Sequence, residues 1–169
     1  MAGKILARAA LARRLAALRR GGQRIVFTNG CFDLLHPGHV RYLRAARRLG
    51  DVLVVGVNGD RSARRLNKGP GRPLVRAHDR AEVVAALEMV DYVTIFDEDT
   101  PYEIIRALAP DVLVKGGDWA VERIVGADIV RARGGAVKAL PYTANYSTTA
   151  LVRRLRRATA IRPPRRRRT

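Results

Sequence analysis

Five short apolar stretches recur along the chain, at residues 25–27, 51–58, 90–96, 112–114 and 137–140. Each is too short for a buried helix and lacks the in–out alternation of a half-solvated strand, so each reads as a strand covered on both faces. Helical spacing fills the intervals. Val40, Leu43, Ala46 and Leu49 precede Gly50, residues 79–89 follow, Ile104, Ile105 and Leu108 run up to Pro110, and residues 122–133 stop at Gly134 and Gly135. Strands that alternate with helices and are buried on both faces predict an α/β fold, a doubly wound and mostly parallel sheet with right-handed crossovers.

With 169 residues the chain has room for one such domain. We expect it to span residues 23–158. Ile5, Leu6, Ala9, Leu15 and Leu18 lay an apolar stripe along residues 1–22, predicting an amphipathic helix that packs on the domain and ends at Gly21 and Gly22. Residues 159–169 follow as a basic tail, expected to be disordered because it offers nothing to bury.

A net charge of +18 suggests a nucleic-acid binder until its distribution is read. The two ends, residues 1–24 and 151–169, hold sixteen Lys and Arg and no acid, whereas residues 25–150 are nearly balanced. The basicity belongs to the flanks, and the tail carries no interleaved aromatic residues. No specific nucleic-acid partner is therefore expected. No apolar run is long enough to cross a membrane, so no membrane association is expected, and a single cysteine, Cys31, rules out an intrachain disulfide and suits a reducing cytoplasm.

The first strand leads into the most informative stretch. Ile25-Val26-Phe27 is broken by the turn residues Thr28-Asn29-Gly30, and the helix of Val40 to Leu49 begins shortly afterwards. A strand, a glycine-containing loop and a helix N-terminus present backbone N–H groups at the carboxyl edge of a parallel sheet, where anions bind. Two of the three histidines, His36 and His39, stand here with Pro37 and Gly38 between them. Proline suits a first helical turn, and Gly38 lets a large anion approach the backbone.

Four further stretches sit after strands. Residues 61–76 have no periodicity and are rich in Arg, Gly and Pro, which predicts a mobile loop whose Lys68 and Arg72 fold over a bound anion as a lid. Asp97, Glu98 and Asp99 precede Pro101 and read as helix capping rather than a metal site, so no protein metal ligand is assigned. After the fourth strand, Gly116 and Gly117 bring backbone next to a ligand, and Asp118 is placed to accept from sugar hydroxyls. Ser147-Thr148-Thr149 opens the last helix with three hydroxyls where capping needs one.

The run from Phe27 to His39 closely resembles the signature of the cytidylyltransferase-like nucleotidyltransferases, and Gly116-Gly117-Asp118 and Ser147-Thr148-Thr149 resemble its later motifs in the right order. The resemblance covers residues 24–157 and implies a Rossmann-like nucleotidyltransferase fold. It also implies transfer of a nucleotidyl group from a nucleoside triphosphate to a phosphate on a small metabolite. Together with residues 87–91 and 97–101, these motifs look most like the heptose 1-phosphate adenylyltransferases, found alone or as half of a bifunctional kinase/adenylyltransferase. That similarity implies ATP and D-glycero-β-D-manno-heptose 1-phosphate as substrates and ADP-heptose for lipopolysaccharide core as product. Glycerol-3-phosphate cytidylyltransferases are the alternative. They place an Arg and a Gly before the hydroxyl trio, where this chain has Tyr142-Thr143-Ala144-Asn145-Tyr146.

On this resemblance His36, His39 and the relatives' basic loop residue, here Lys68, are the catalytic groups. Thr28, Asn29, Gly30, Phe32, Gly38, Gly116, Asp118, Ser147, Thr148 and Thr149 would hold the nucleotide, and Asp33, Arg72 and Trp119 would face the sugar phosphate. Mg²⁺ is expected to arrive with ATP, and a homo-oligomer is expected. A rival of another class, a non-catalytic nucleic-acid-binding protein using the Arg-rich ends, predicts steeply salt-dependent binding that is lost with residues 158–169.

Overall fold

The computed structural model describes residues 3–67, 69–117, 119–141 and 146–160, without the side chains of residues 159 and 160. Lys68, Asp118, the Tyr142–Asn145 segment weighed against the cytidylyltransferases and most of the basic tail therefore lie outside the described residues. Five strands form one sheet: β1 (Ile25–Gly30), β2 (Val52–Asn58), β3 (Tyr92–Phe96), β4 (Val112–Gly116) and β5 (Ala136–Leu140). Their order is β3-β2-β1-β4-β5 and every pairing is parallel, where the sequence predicted a mostly parallel sheet.

The helices are α1 (Arg8–Arg20), α2 (Pro37–Arg47), α3 (Asp60–Arg65), α4 (Ala77–Ala85), α5 (Tyr102–Leu108), α6 (Ala127–Ala132) and α7 (Thr148–Ala160). The period-2 geometry of a strand divides the core between them. Ile25 and Phe27 of β1 face Leu11 and Leu15 of α1 and Ile104, Ile105 and Leu108 of α5. Val26 points the other way, into a cluster with Leu43 and Ala46 of α2 and Ala81 and Val84 of α4. Leu11 and Leu15 are fully buried, so α1 is integral to one core layer. The stripe read from sequence included Ala9, which is exposed; Leu11 takes the inward position. Ahead of α1, Leu6 N–H donates to Val93 O and Val93 N–H to Lys4 O, covering the edge strand β3.

Other boundaries moved for tertiary reasons. Thr28, Asn29 and Gly30, expected to break the first strand, continue it because Val55, Gly56 and Val57 of β2 supply their ladder partners. Residues 60–65 are helical rather than loop, with Asp60 at the N-terminus and Ser62 and Ala63 buried. The helix expected over residues 122–133 is interrupted at Gly126, whose φ of 86° breaks it and whose missing side chain leaves room for Ile105. The acids at 97–99 do not cap α5: Glu98 pairs with Arg8, Asp99 with Arg65, and Asp97 accepts from Ser62 N–H.

At the amino edge of the sheet, an aspartate stands immediately before each of β2, β3 and β4. Asp51 accepts from Arg24 N–H at 2.8 Å, Asp91 from Leu53 N–H at 2.7 Å and Asp111 from Ile25 N–H at 2.8 Å. Each carboxylate thus grips the start of a neighbouring strand.

Candidate active site

Strand order reverses between β1 and β4, and the crevice outside the carboxyl ends of two such strands is where an open parallel sheet accepts ligands. A cavity of about 950 Å³ lies there. Asn29 and Gly30 at the end of β1, Asn58 at the end of β2 and Lys115 and Gly116 at the end of β4 form its floor. Lys115 Nζ donates to Asn29 Oδ1 at 3.4 Å, tying the two strands across the reversal.

His36 is the N-cap residue of α2 and Pro37 takes the first helical turn, leaving the helix N-terminus facing the cavity. The rings of His36 and His39 stack at 3.9 Å between centroids, and Phe32 closes on His39 at 5.4 Å. Burial pushes His36 below the ordinary imidazole value, partly offset by a hydrogen bond to its own backbone. Beyond that contact with its own backbone, its buried Nδ1 meets no hydrogen-bond partner among the described residues. A Cβ on Gly38 would lie 2.9 Å from Tyr146 Cβ and 3.0 Å from His36 Nδ1, so only glycine fits between ring and chain. Tyr146 stacks near His36 and under the Arg41 guanidinium, 5.1 Å from its ring centroid.

Ser147, Thr148 and Thr149 border the same cavity. Ser147 Oγ accepts from Ala150 N–H at 3.0 Å and serves the cap, while Thr148 Oγ1 donates to Leu34 O at 3.4 Å, fastening α7 to the loop before α2. Asp33 is buried on the other wall. It pairs with Arg72 and accepts from Leu74 N–H at 2.7 Å and Val75 N–H at 3.0 Å, so it anchors residues 72–75. The expected lid loop is thus pinned at its far end.

Asn29, Gly30, Phe32, Asp33, His36, Gly38, His39, Arg72, Gly116, Trp119, Ser147, Thr148 and Thr149 all line this one cavity. Thr28 does not. It is fully buried, with its hydroxyl 2.6 Å from Tyr42 Oη, because an inner position on β1 turns it into the domain. The neighbouring Tyr42, and Lys115, Asn58 and Arg123, line the cavity without having been singled out. Lys115 had a signal: a cation ending an otherwise apolar strand.

Comparison with known proteins follows the same lines. The chain is 53% identical over 152 residues to "Bifunctional protein HldE" of Trichlorobacter lovleyi, an alignment covering 90% of this chain and 31% of that protein. It is 56% identical over 138 residues to the protein of the same name from Alcanivorax borkumensis, covering 82% and 29%. The chain therefore spans under a third of the length of these curated relatives. Among solved structures, the lipopolysaccharide core biosynthesis protein of Thermoplasma volcanium superposes with a TM-score of 0.59 at 29% identity, covering 75% of this chain and all of that one. Pantoate-beta-alanine ligase of Francisella tularensis shares the fold at 13% identity, with a TM-score of 0.56, 99% of this chain and 82% of that one covered. A family model described as cytidylyltransferase-like matches residues 27–154, and with the all-parallel sheet and its crevice this places the chain in the cytidylyltransferase-like family.

Proposed function

We propose that the chain transfers AMP from ATP to a sugar 1-phosphate, D-glycero-β-D-manno-heptose 1-phosphate, releasing pyrophosphate and ADP-heptose for lipopolysaccharide core. One observation carries the reading: the stacked His36 and His39 and the hydroxyl trio Ser147–Thr149 border one cavity at the strand-order reversal. A polyanion can therefore meet both at once. The similarity to the HldE proteins supports heptose as the acceptor's sugar.

The chemistry asks little of a general base, because the acceptor phosphate is already an anion near pH 7. The obstacle is bringing it against a triphosphate, so catalysis is positioning and charge stabilisation. His36 and His39 donate to the triphosphate and to charge developing at the α-phosphorus. Gly38 and the start of α2 offer N–H groups, and Ser147, Thr148 and Thr149 take the β- and γ-phosphates. Asn29, Gly30 and Gly116 floor the nucleotide, with Asp118 reaching ribose hydroxyls. Lys68 supplies a cation to the phosphates, while Arg72, held by Asp33, meets the acceptor phosphate beside Trp119. Thr28 drops out of direct contact, acting through Tyr42.

Mg²⁺ would arrive on the substrate's own phosphates; among the described residues no group of three or more His, Cys, Asp or Glu is placed to hold a metal ion. Bound to those phosphates, the ion would offset triphosphate charge. Exposed Leu151 and Leu155 on α7 support a homo-oligomer, and a lone buried Cys31 supports a cytoplasmic setting. Among the described residues no helix is long and apolar enough to cross a membrane.

The test is pyrophosphate release with Mg²⁺ and each of the four nucleoside triphosphates, with heptose 1-phosphate or glycerol 3-phosphate as acceptor. ATP with heptose 1-phosphate is the expected active pair; CTP with glycerol 3-phosphate would replace the reading.

A further inference from the structure

Beneath the cavity lies a charge that the proposed chemistry does not use. Arg80, on α4, is 1% exposed overall and its side chain is wholly buried, yet it does not line the cavity. Burying a guanidinium is costly unless its donors are met. Nη2 donates to Asp60 Oδ1 at 2.8 Å, but that carboxylate is 35% exposed and answers only one corner of the fork. The remaining donors go to main-chain carbonyls of two separate loops: Nε to Val75 O at 2.8 Å and Nη1 to Cys31 O, with Cys31 Sγ at 3.8 Å. Both loops form walls of the cavity.

The residue after Cys31 is Phe32, whose φ of 49° puts a bulky side chain in the left-handed region. That conformation is strained for a bulky residue and persists only where the surroundings enforce it. A trans peptide sets its C=O and N–H on opposite sides. With Cys31 C=O drawn down to Arg80, the N–H of Phe32 is directed to the other side of that peptide, and Phe32 itself is cavity wall. Val75 is held at both ends in the same way, its N–H by Asp33 and its C=O by Arg80. One side chain therefore sets the spacing between the strand-to-helix loop and the segment carrying Arg72.

We propose that Arg80 is a positioning residue: it locks the Cys31–Phe32 peptide so that Phe32 N–H is a ready-made donor to a phosphate oxygen, and it aligns the Arg72 segment against it. This rests on the nucleotidyl-transfer reading for its kinetics, but not for its binding readout. The planar fork is required, since a lysine ammonium cannot reach three acceptors in fixed directions.

The chain has three phenylalanines, so ¹⁵N-phenylalanine labelling isolates the Phe32 amide from those of Phe27 and Phe96, both buried in strands. Adding Mg²⁺ and ATP to the wild-type chain is expected to move the Phe32 amide proton downfield and leave the other two nearly unchanged. In Arg80→Lys that shift is lost, and kcat falls about 10-fold or more with KM for ATP within about 3-fold. Asp60→Asn keeps an acceptor for Arg80 and lies outside the cavity, so it retains the Phe32 shift and kcat within about 2-fold. If Arg80→Lys does not fold, Arg80→Gln, which keeps one amide donor, takes its place with the same expected losses. An intact Phe32 shift in the folded Arg80 variant, its absence in the wild type, or its loss in Asp60→Asn overturns the proposal. A wild-type chain that shows the shift but releases no pyrophosphate would instead sink the catalytic reading and leave Arg80 in its role.

Discussion

His36 and His39, three residues apart at the N-terminus of α2, stack face to face with centroids 3.9 Å apart and planes 20° apart. Held this way, the two imidazoles act as one donor surface for an anion that spans both. Removing either ring also removes the packing that orients the other. His39→Ala and His36→Ala are each expected to lower kcat by about 10²-fold or more with the fold intact, measured as pyrophosphate release beside a far-UV spectrum. Normal turnover in His39→Ala would falsify the assignment.

The same burial gives the site a pH signature. His36 resists protonation in the folded chain, so below the ordinary imidazole value of about 6.5 the unfolded state binds more protons than the folded one. Its stabilising contribution is fully present above about 6.5 and declines as pH falls from there toward the lowered folded value. Melting curves between pH 7.5 and 5.5 should show this decline, and His36→Asn should flatten it. A bound triphosphate reverses the preference, so ATP binding near pH 6.5 takes up protons. Calorimetry in two buffers of different ionisation heat measures that uptake.

Gly38→Ala places a methyl against His36 Nδ1 and Tyr146 Cβ where there is no room for it. The ring or the chain at Tyr146 has to shift, at a cost of about 1–3 kcal/mol. We expect ATP to bind about 10-fold or more weakly in this variant, by titration calorimetry, with a smaller change in melting temperature.

Asp33→Asn keeps an oxygen for Leu74 and Val75 N–H but turns an amide toward the Arg72 guanidinium. Breaking a buried pair on one side costs about 3–5 kcal/mol. The expected outcome is a lower melting temperature and a raised KM for the sugar phosphate, with KM for ATP changed less. Equal rises in both KM values would argue that Arg72 serves the nucleotide instead.

Deleting residues 161–169 is expected to leave kcat within about 2-fold, since the residues assigned to ATP and to the sugar phosphate all precede the cut. A rival role in nucleic-acid binding predicts no turnover with or without the tail, and a steep salt-dependent affinity that vanishes with it.

Local pattern was enough for the strands and the crevice, because buried parallel strands announce themselves as apolar runs and ligand loops follow them. It was not enough for residues whose purpose lies far along the chain. Arg80 is one of many arginines in the chain and carries no local signal, and its partner Cys31 is 49 positions away. Thr28 looked like a turn residue because the neighbouring strand that completes its ladder is 27 residues downstream. Asp33 was read toward the sugar, whereas its acceptors are spent on residues 72–75, a segment whose proximity no periodicity reveals. Ala9 and Leu11 exchanged places because α1 starts at Arg8, which rotates the stripe.

The carboxylates of Asp51, Asp91 and Asp111 settle strand alignment at the end of the sheet remote from the ligand crevice. A strand clamped at its start delivers its last residue to a determined height whatever follows it. The loops that meet the substrates can then exchange residues, lengthen or change acceptor preference without disturbing how the strands are matched, which gives the scaffold latitude to serve different small metabolites.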